Sequence, residues 1–289
     1  MKRLYLIGIF AALFAFSGTI SAQVVNSFIR TGDAVSAGLS GASVTIQADA
    51  YALDNNPAAM SLYDKTMAAG AGFSIINPSS VKMQMISAAG FYKISSALAA
   101  GIDVKRLSYE PYATYAADGR STGEFTPSEM AVTAGVSYLV MDGLSVGANV
   151  KFASFALAEG SSSSYFGLDA AAMYVSGALK AGLNIRNIAS PVMDVRGGAS
   201  YDISSVTLMA QAEYLAGAGV MAAAGAQYNF KDMLFARAGF HYGNASAGIP
   251  SYGSFGIGAK FAGFSLDAAV LLGTASVSGT TVLSLGYAF

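Results

Sequence analysis

Few residues of this chain could support catalysis, and their spacing does not favour it. His241 is the one histidine among 289 residues, and a glycine-rich segment that contains Ser246 follows it. A serine near a histidine could form the nucleophile–base pair of a hydrolase. However, the G-x-S-x-G spacing of a nucleophile elbow is not met, and that elbow needs a strand-to-helix turn. We therefore expect no enzymatic activity.

Metal, redox and nucleic-acid chemistry are not indicated either. The chain has no cysteine, so disulfides and cysteine-ligated metals are excluded. Asp103 and Asp267 have no recognisable metal-ligand spacing. We expect no cofactor and no metal. The 16 basic and 17 acidic residues form no basic footprint, so no nucleic-acid partner is expected.

The polar residues recur within one strand pattern. A small residue, Gly, an apolar residue, a polar residue and an aromatic follow each other, as in residues 134–138 and 238–242. Side chains alternate between the two faces of a strand, so the glycines and polar groups share one face and the apolar groups the other. About fourteen such strands are predicted, at 66–76, 82–94, 96–109, 128–140, 143–157, 163–176, 178–188, 195–203, 205–215, 219–230, 233–243, 252–262, 263–273 and 279–289.

The composition of the chain indicates which class of β structure these strands form. The chain is 54% hydrophobic and only 11% charged, against roughly 25% charged residues in soluble domains. No uninterrupted apolar run of about 18 residues follows the N-terminus, so helical membrane spans are not predicted. The connections alternate between longer and tight, as in outer-membrane barrels. The predicted fold is all-β: an antiparallel transmembrane β-barrel of about fourteen strands over residues 66–289, with a short N-terminal plug in its lumen.

The last residues support a barrel. Thr281, Leu283, Leu285, Tyr287 and Phe289 lie on one face of the final strand, which must close against the first strand near Thr66. Tyr287 and Phe289 also resemble the C-terminal aromatic signal by which bacterial outer-membrane barrels are recognised. The expected partners are therefore outer-membrane lipid and the barrel-insertion machinery.

Residues 1–22 are predicted to be a signal peptide. Lys2 and Arg3 precede an apolar core of about 13 residues, which is short for a membrane span, the alternative reading. Cleavage is expected after Ala22. The expected location is the outer membrane of a Gram-negative bacterium.

Charges are costly against lipid, so the face shared by glycine and polar residues must line the lumen. The luminal polar candidates are Asp103, Lys105, Lys151, Asp169, Lys180, Arg186, Glu213, Arg237, His241, Lys260 and Asp267. One interpretation is a structural network of paired charges. The other is an ion-selective constriction, which would favour one dominant sign of charge, and none dominates here.

Residues 23–65 lack the strand pattern and are predicted to form the plug. Asp49 is expected to cap a short helix through Leu53, and Asn56 a second helical turn that starts at Pro57. A disordered tail is the alternative, but the Val, Leu, Ile and Met content argues against it. The glycine rows of the barrel would leave room for this segment in the lumen.

The segment resembles the N-terminal signature of the PorV/PorQ family, within the FadL-like superfamily of barrels with an N-terminal hatch. The residues that carry the resemblance are Arg30, Asp33, Gly38, Gly41, Asp49, Asn56 and Pro57. PorV and PorQ act in type IX secretion. The resemblance therefore implies a plugged accessory component of protein export, with a secretion-system protein or exported cargo as its partner.

Residues 109–127 form the longest predicted connection and carry Tyr109, Tyr112, Tyr115 and Phe125. These aromatics could bind the partner, or could settle at the lipid boundary. The alternative function, also implied by the superfamily, is uptake of small hydrophobic molecules. Short outer loops make a long apolar vestibule less expected. A purely structural barrel is the third possibility.

Overall fold

A computed structural model describes residues 31–76, 82–188, 190, 192–274 and 277–289. In it, fourteen antiparallel strands form a closed barrel, which confirms the predicted fold class and strand count. The predicted signal peptide, residues 1–22, lies outside the described residues. Among the helices of the described residues, none is long and apolar enough to cross a membrane.

The strands follow the alternating pattern closely. They are β1 (Met67–Ile76), β2 (Met83–Lys93), β3 (Leu98–Tyr109), β4 (Tyr112–Tyr115), β5 (Ser121–Phe125), β6 (Ser128–Met141), β7 (Leu144–Ala158), β8 (Ser161–Ser176), β9 (Leu179–Arg186), β10 (Asp194–Ile203), β11 (Val206–Leu215), β12 (Gly219–Phe230), β13 (Leu234–Tyr242), β14 (Tyr252–Phe261), β15 (Phe264–Gly273) and β16 (Thr281–Ala288). All except β4 and β5 belong to the barrel, and each pairs with its neighbours in the wall.

Helical structure is short and mostly precedes β1. Helix α1 covers Ala34–Gly38, helix α2 Ala52–Asn55 and the 3-10 helix η1 Pro57–Leu62, while η2 (Ala245–Ala247) lies between β13 and β14. The prediction for Asp49 was wrong. Its carboxylate accepts a hydrogen bond from the Tyr51 amide (2.8 Å), and the helix begins only at Ala52 without a side-chain cap. The side chain of Asp33, by contrast, caps α1.

Closure joins the last strand to the first. β16 pairs antiparallel with β1, and the Thr66 amide donates to the carbonyl of Phe289 at 2.8 Å. Tyr287 and Phe289 are exposed on the outer surface, as the face assignment predicted. A closed barrel leaves no unpaired strand edge toward lipid, which is the condition for spanning a membrane with strands. We call the end at Phe289 the inner end and the opposite end the outer end.

Two outer connections differ from the prediction. Residues 109–127 contain the separate hairpin β4–β5, whose strands pair only with each other. The connection predicted at 157–162 is a tight turn, because β7 and β8 continue to Ala158 and from Ser161. The backbone of β8 still pairs with β7 at Ser161, Ser163 and Ser164, so its polar backbone groups are satisfied and the strand continues through the serines.

Glycines on the luminal face provide space for residues 31–66, which we call the luminal segment. A Cβ at Gly147 would lie 2.5 Å from the Ala58 nitrogen and 2.7 Å from the Pro57 carbonyl carbon. Both are backbone atoms of η1, which cannot yield as a flexible side chain could.

This close approach predicts a stability effect. Gly147→Ala should lower the free energy of unfolding by about 1–3 kcal/mol, because overpacking forces backbone shifts. Gly197→Ala is the matched control: its Cβ would find only Leu183 Cδ1, at 3.9 Å, and it should change stability by less than about 0.5 kcal/mol. Urea unfolding in lipid vesicles, followed by circular dichroism, measures both. Equal effects would show that η1 does not pack against β7.

Candidate functional site: a lumen divided by the N-terminal segment

The luminal segment is held inside the barrel by polar side chains of the wall. Asn149 Nδ2 donates to the Leu53 carbonyl at 2.9 Å, and Asn184 Nδ2 donates to the Asn55 carbonyl at 3.1 Å. Gln211 Oε1 accepts from the backbone amides of residues 43 and 44, at 3.1 and 3.0 Å. These bonds satisfy backbone groups that an irregular segment would otherwise leave buried and unpaired.

An outer cavity of about 630 Å³ lies on one side of the luminal segment. This volume is within the range of small-molecule sites. Its apolar wall consists of Ile76, Leu215, Met221, Ile249, Leu271 and Val282, and its polar floor of Asp54, Arg186, Arg196, Glu213 and His241. Ile249 belongs to the connection between β13 and β14, so an outer loop forms part of the wall.

An inner cavity of about 760 Å³ lies on the other side of the segment. The residues that line it include Val35, Asp49, Tyr51, Arg237 and Ser284, together with Tyr287 and Ala288 near the inner end. Lys180 and Lys260, two of the predicted luminal residues, also border this cavity rather than the outer one.

Helix α1 forms the partition between the two cavities on the β13–β16 side. Ser36 and Ala37 line the outer cavity, and Val35 lines the inner one. The wall shows the same division: Val282 borders the outer cavity, and Ser284, the next luminal residue of β16, borders the inner one. Ser284 Oγ accepts from the Ala34 amide at 3.3 Å. The barrier here is therefore about one helix thick.

Helix α1 begins at a buried carboxylate, that of Asp33. Its carboxylate is fully buried and accepts from the amides of Val35 (2.8 Å) and Ser36 (3.1 Å) and from Asn55 Nδ2 (2.9 Å). Burial raises the pKa of Asp33, despite these hydrogen bonds, and the nearby Asp267 carboxylate adds to the rise. The carboxylate has no ion pair among the described residues, so burial disfavours its ionised form.

Asp54 forms a buried ion pair between the luminal segment and the barrel. Its carboxylate accepts a hydrogen bond from Lys105 Nζ, and both side chains are nearly inaccessible. Burial alone would raise the pKa of Asp54, but attraction to Lys105 and Arg186 holds it below its usual value. Lys105 also lies 4.0 Å from Asp103.

The other predicted luminal charges mostly form pairs between strands of the wall, either neighbouring strands or, for Arg237 and Asp267, strands separated by β14. Lys151 Nζ is 2.7 Å from Asp169 Oδ2, and Arg237 Nη1 is 2.7 Å from Asp267 Oδ1. Glu213 Oε1 lies 3.3 Å from Arg196 Nη2. Mixed and paired charges match the structural-network interpretation better than an ion-selective constriction, because neither sign is left in excess along the wall.

The serine–histidine pair considered for hydrolysis is not brought together. Ser246 Oγ donates to Asn244 Oδ1 at 2.6 Å. The His241 ring instead stacks on Tyr252, with centroids 5.0 Å apart. Among the described residues, no group of three His, Asp or Glu side chains could hold a metal ion.

The residues of the N-terminal signature have separate structural roles. Asp33 and Asn56 cap α1 and η1, and Pro57 is the first residue of η1. Gly41 adopts φ +82°, a left-handed conformation that favours glycine, just after α1. Gly38 ends α1, and a Cβ there would lie 3.1 Å from Gly256 Cα. Arg30 lies outside the described residues.

The aromatic residues of 109–127 divide into two groups. Tyr112 and Phe125 pair on the β4–β5 hairpin with centroids 5.6 Å apart, and Tyr115 is 66% exposed. Tyr109 differs from the prediction of a shared surface: it ends β3, is half-buried, and its hydroxyl donates to Glu129.

Sequence reasoning missed the serines that join the segment to the wall. Ser40 and Ser254 Oγ are 2.8 Å apart, and Ser61 and Ser145 Oγ are 2.5 Å apart. All four are buried. A small polar residue on the luminal face is the only signal in the sequence, and it is shared with many other positions.

Comparison with known proteins supports the architecture. The sequence matches no protein-family model and no curated protein. The Ralstonia pickettii toluene transporter TbuX is similar in structure, with a TM-score of 0.66 and 13% identity over 89% of this chain and 98% of that one. For a Pseudomonas aeruginosa FadL homologue the TM-score is 0.58, with 14% identity over 89% and 98%. For the Pseudomonas putida toluene transporter TodX it is 0.57, with 13% identity over 88% and 95%.

Identities this low show a shared fold alone. The chain is thus a closed fourteen-stranded barrel whose fold is similar to that of these solved structures. No comparison supports the PorV/PorQ family specifically. The structurally similar proteins are named as toluene transporters and as a FadL homologue.

Proposed function

We propose that this protein is an outer-membrane channel for the uptake of small hydrophobic molecules. The observation that carries the proposal is the outer cavity, whose apolar wall reaches an outer loop and whose far boundary is the thin helix α1. A solute would bind there from outside, and a movement of α1 along the β13–β16 side would join the outer and inner cavities. The names of the similar toluene transporters favour this class of solute.

A cavity-filling substitution tests the proposal. Ala218 is buried, lines the outer cavity and packs in a cluster with Leu215 and Met221. Ala218→Trp should reduce uptake of radiolabelled toluene by at least about fivefold, because the indole occupies the volume the solute needs. Uptake is measured in a Gram-negative host strain that lacks its own hydrocarbon channels.

Val220→Trp provides the matched control. Val220 is two residues away, 72% exposed and directed outward, so the same indole there leaves the cavity open. Uptake by this variant should equal that of the wild type. If both variants transport toluene as the wild type does, the outer cavity is not on the uptake path and the proposal fails.

Partner binding in protein export remains a second candidate because of one feature. The β4–β5 hairpin is paired with no barrel strand and exposes Tyr112 and Tyr115. A photo-crosslinker at position 112 should then capture one specific protein in cells. A lack of capture together with toluene uptake would exclude this candidate.

A further inference from the structure

The floor of the outer cavity carries charges that neutralise one another. Arg196 Nε lies 2.9 Å from Asp194 Oδ2, and Arg196 Nη2 lies 3.3 Å from Glu213 Oε1. Arg186 Nη1 is 3.6 Å from the same Asp194 oxygen. Two guanidinium groups therefore face two carboxylates, and each of these side chains is at most 10% exposed.

This balance disfavours ionic ligands of either sign. An anion near Arg196 would also meet Glu213, and a cation near Glu213 would meet Arg196. A charge that leaves water for this cavity would thus find no uncompensated counter-charge, and desolvation without pairing is strongly unfavourable. Asp54 also borders the cavity floor. Its carboxylate is paired with Lys105, so it does not change the charge balance of the floor.

His241 supplies an unused hydrogen-bonding position in the same floor. The ring is 6% exposed, stacks on Tyr252 and hydrogen-bonds to the backbone of Ser40. Its Nε2 is buried and has no hydrogen-bond partner in the described part of the chain. A carbonyl can only accept, so a ring nitrogen bound to the Ser40 carbonyl is the donor. Nε2 of the neutral ring is then left as an acceptor.

We propose that the outer cavity selects uncharged amphiphiles, with an aromatic or alkyl body against the apolar wall and one hydroxyl group at the floor beside His241. The hydroxyl would donate to Nε2 and satisfy a buried acceptor, which a pure hydrocarbon cannot do. This inference rests on the proposed uptake function and narrows its substrate class.

Three ligands of one shape test the selectivity. Toluene, p-cresol and p-toluate share a methylphenyl body and differ in having no polar group, a hydroxyl or a carboxylate. Binding of each radiolabelled ligand is measured by equilibrium dialysis at pH 8 on the full-length protein in amphipol. Subtracting binding to Ala218→Trp removes ligand that only partitions into the amphipol. The cavity should bind p-toluate at least about tenfold more weakly than p-cresol.

Two substitutions should shift the selectivity in opposite ways. His241→Phe keeps an aromatic ring against Tyr252 and should lower the ratio of p-cresol to toluene affinity about fivefold, the loss of one hydrogen bond. Glu213→Gln leaves Arg196 with one carboxylate fewer and should raise the ratio of p-toluate to p-cresol affinity at least about tenfold. Phe240→Leu, at the neighbouring outward position, is the control and should leave both ratios unchanged.

The outcomes separate this inference from the uptake proposal. If toluene binds the wild type more than Ala218→Trp but neither substitution changes its ratio, the selectivity inference is overturned and the uptake site stands. Binding of p-toluate as tight as that of p-cresol to the wild type would overturn it in the same way. If no ligand binds the wild type more than Ala218→Trp, both proposals fail. Heat-modifiable migration on gels confirms that each variant is a folded barrel.

Discussion

A disulfide between the chain just after α1 and the wall should strongly reduce uptake. In the double variant Ser40→Cys/Ser254→Cys, the two sulfur atoms replace hydroxyl oxygens that are 2.8 Å apart, close to the geometry that a disulfide requires. Oxidation would fix position 40, two residues after the end of α1, to β14. Because α1 is the partition between the two cavities, toluene uptake should fall by at least about tenfold and return on reduction. The chain has no cysteine, so no other pairing can form.

A second crosslink shows whether α1 in particular must move. Ser61→Cys/Ser145→Cys joins η1 to β7, where the hydroxyl oxygens are 2.5 Å apart. The η1 segment packs on β6 and β7, on the other side of the lumen from the β13–β16 wall. Uptake should persist under oxidation in this variant. Loss of uptake in both oxidised variants would mean that the whole segment moves, and persistence in both would exclude the path past α1.

Removal of Lys105 should cause the largest loss of stability. Lys105→Met leaves the buried carboxylates of Asp54 and Asp103 without the cation that both approach. Breaking a buried ion pair in this way costs about 3–5 kcal/mol in the free energy of unfolding. Urea titration in lipid vesicles measures the loss. A double-mutant cycle with Asp54→Asn should show a coupling of at least about 1 kcal/mol between the two residues.

An exposed ion pair of similar length is the control. Arg120 Nε lies 2.7 Å from Asp118 Oδ2 on the outer hairpin, with side chains 83% and 52% exposed. Arg120→Met should change stability by less than about 0.5 kcal/mol, because water screens the pair.

The ion pair of Asp54 and Lys105 should also make the stability of the barrel depend on pH. Since the pKa of Asp54 is lowered, the contribution of its pair should hold at neutral pH and be lost only as the pH falls below 3.8.

The barrel could be predicted from the sequence because each strand signals itself locally. Alternation with period two, as at residues 238–242, assigns every side chain to a face, and the cost of charge in lipid decides which face is inside. The errors occurred where local signals compete. Ser161 and Ser162 look like part of a turn but belong to β8, and Asp49 looks like a helix cap although the helix begins three residues later.

The site could be predicted only in part. The sequence indicated that luminal glycines leave space for the N-terminal segment, and Gly147 lies in contact distance of η1. It also identified His241, Glu213 and Arg186 as luminal. It could not assign them to one floor, because β9, β11 and β13 bring them together only through the curvature and register of the closed wall.

The sequence by itself therefore determined the fold class, the strand count and the inside and outside of the wall, since these depend on alternation and on the energy of charges in lipid. Only the tertiary structure decided what the lumen is. The luminal segment has no periodic pattern, and its position depends on contacts with residues 100 or more positions away, such as those of Asn55 with Asn184 and of Ser40 with Ser254. Those long-range contacts place α1 between the two cavities, and that division is the feature on which the proposed function depends.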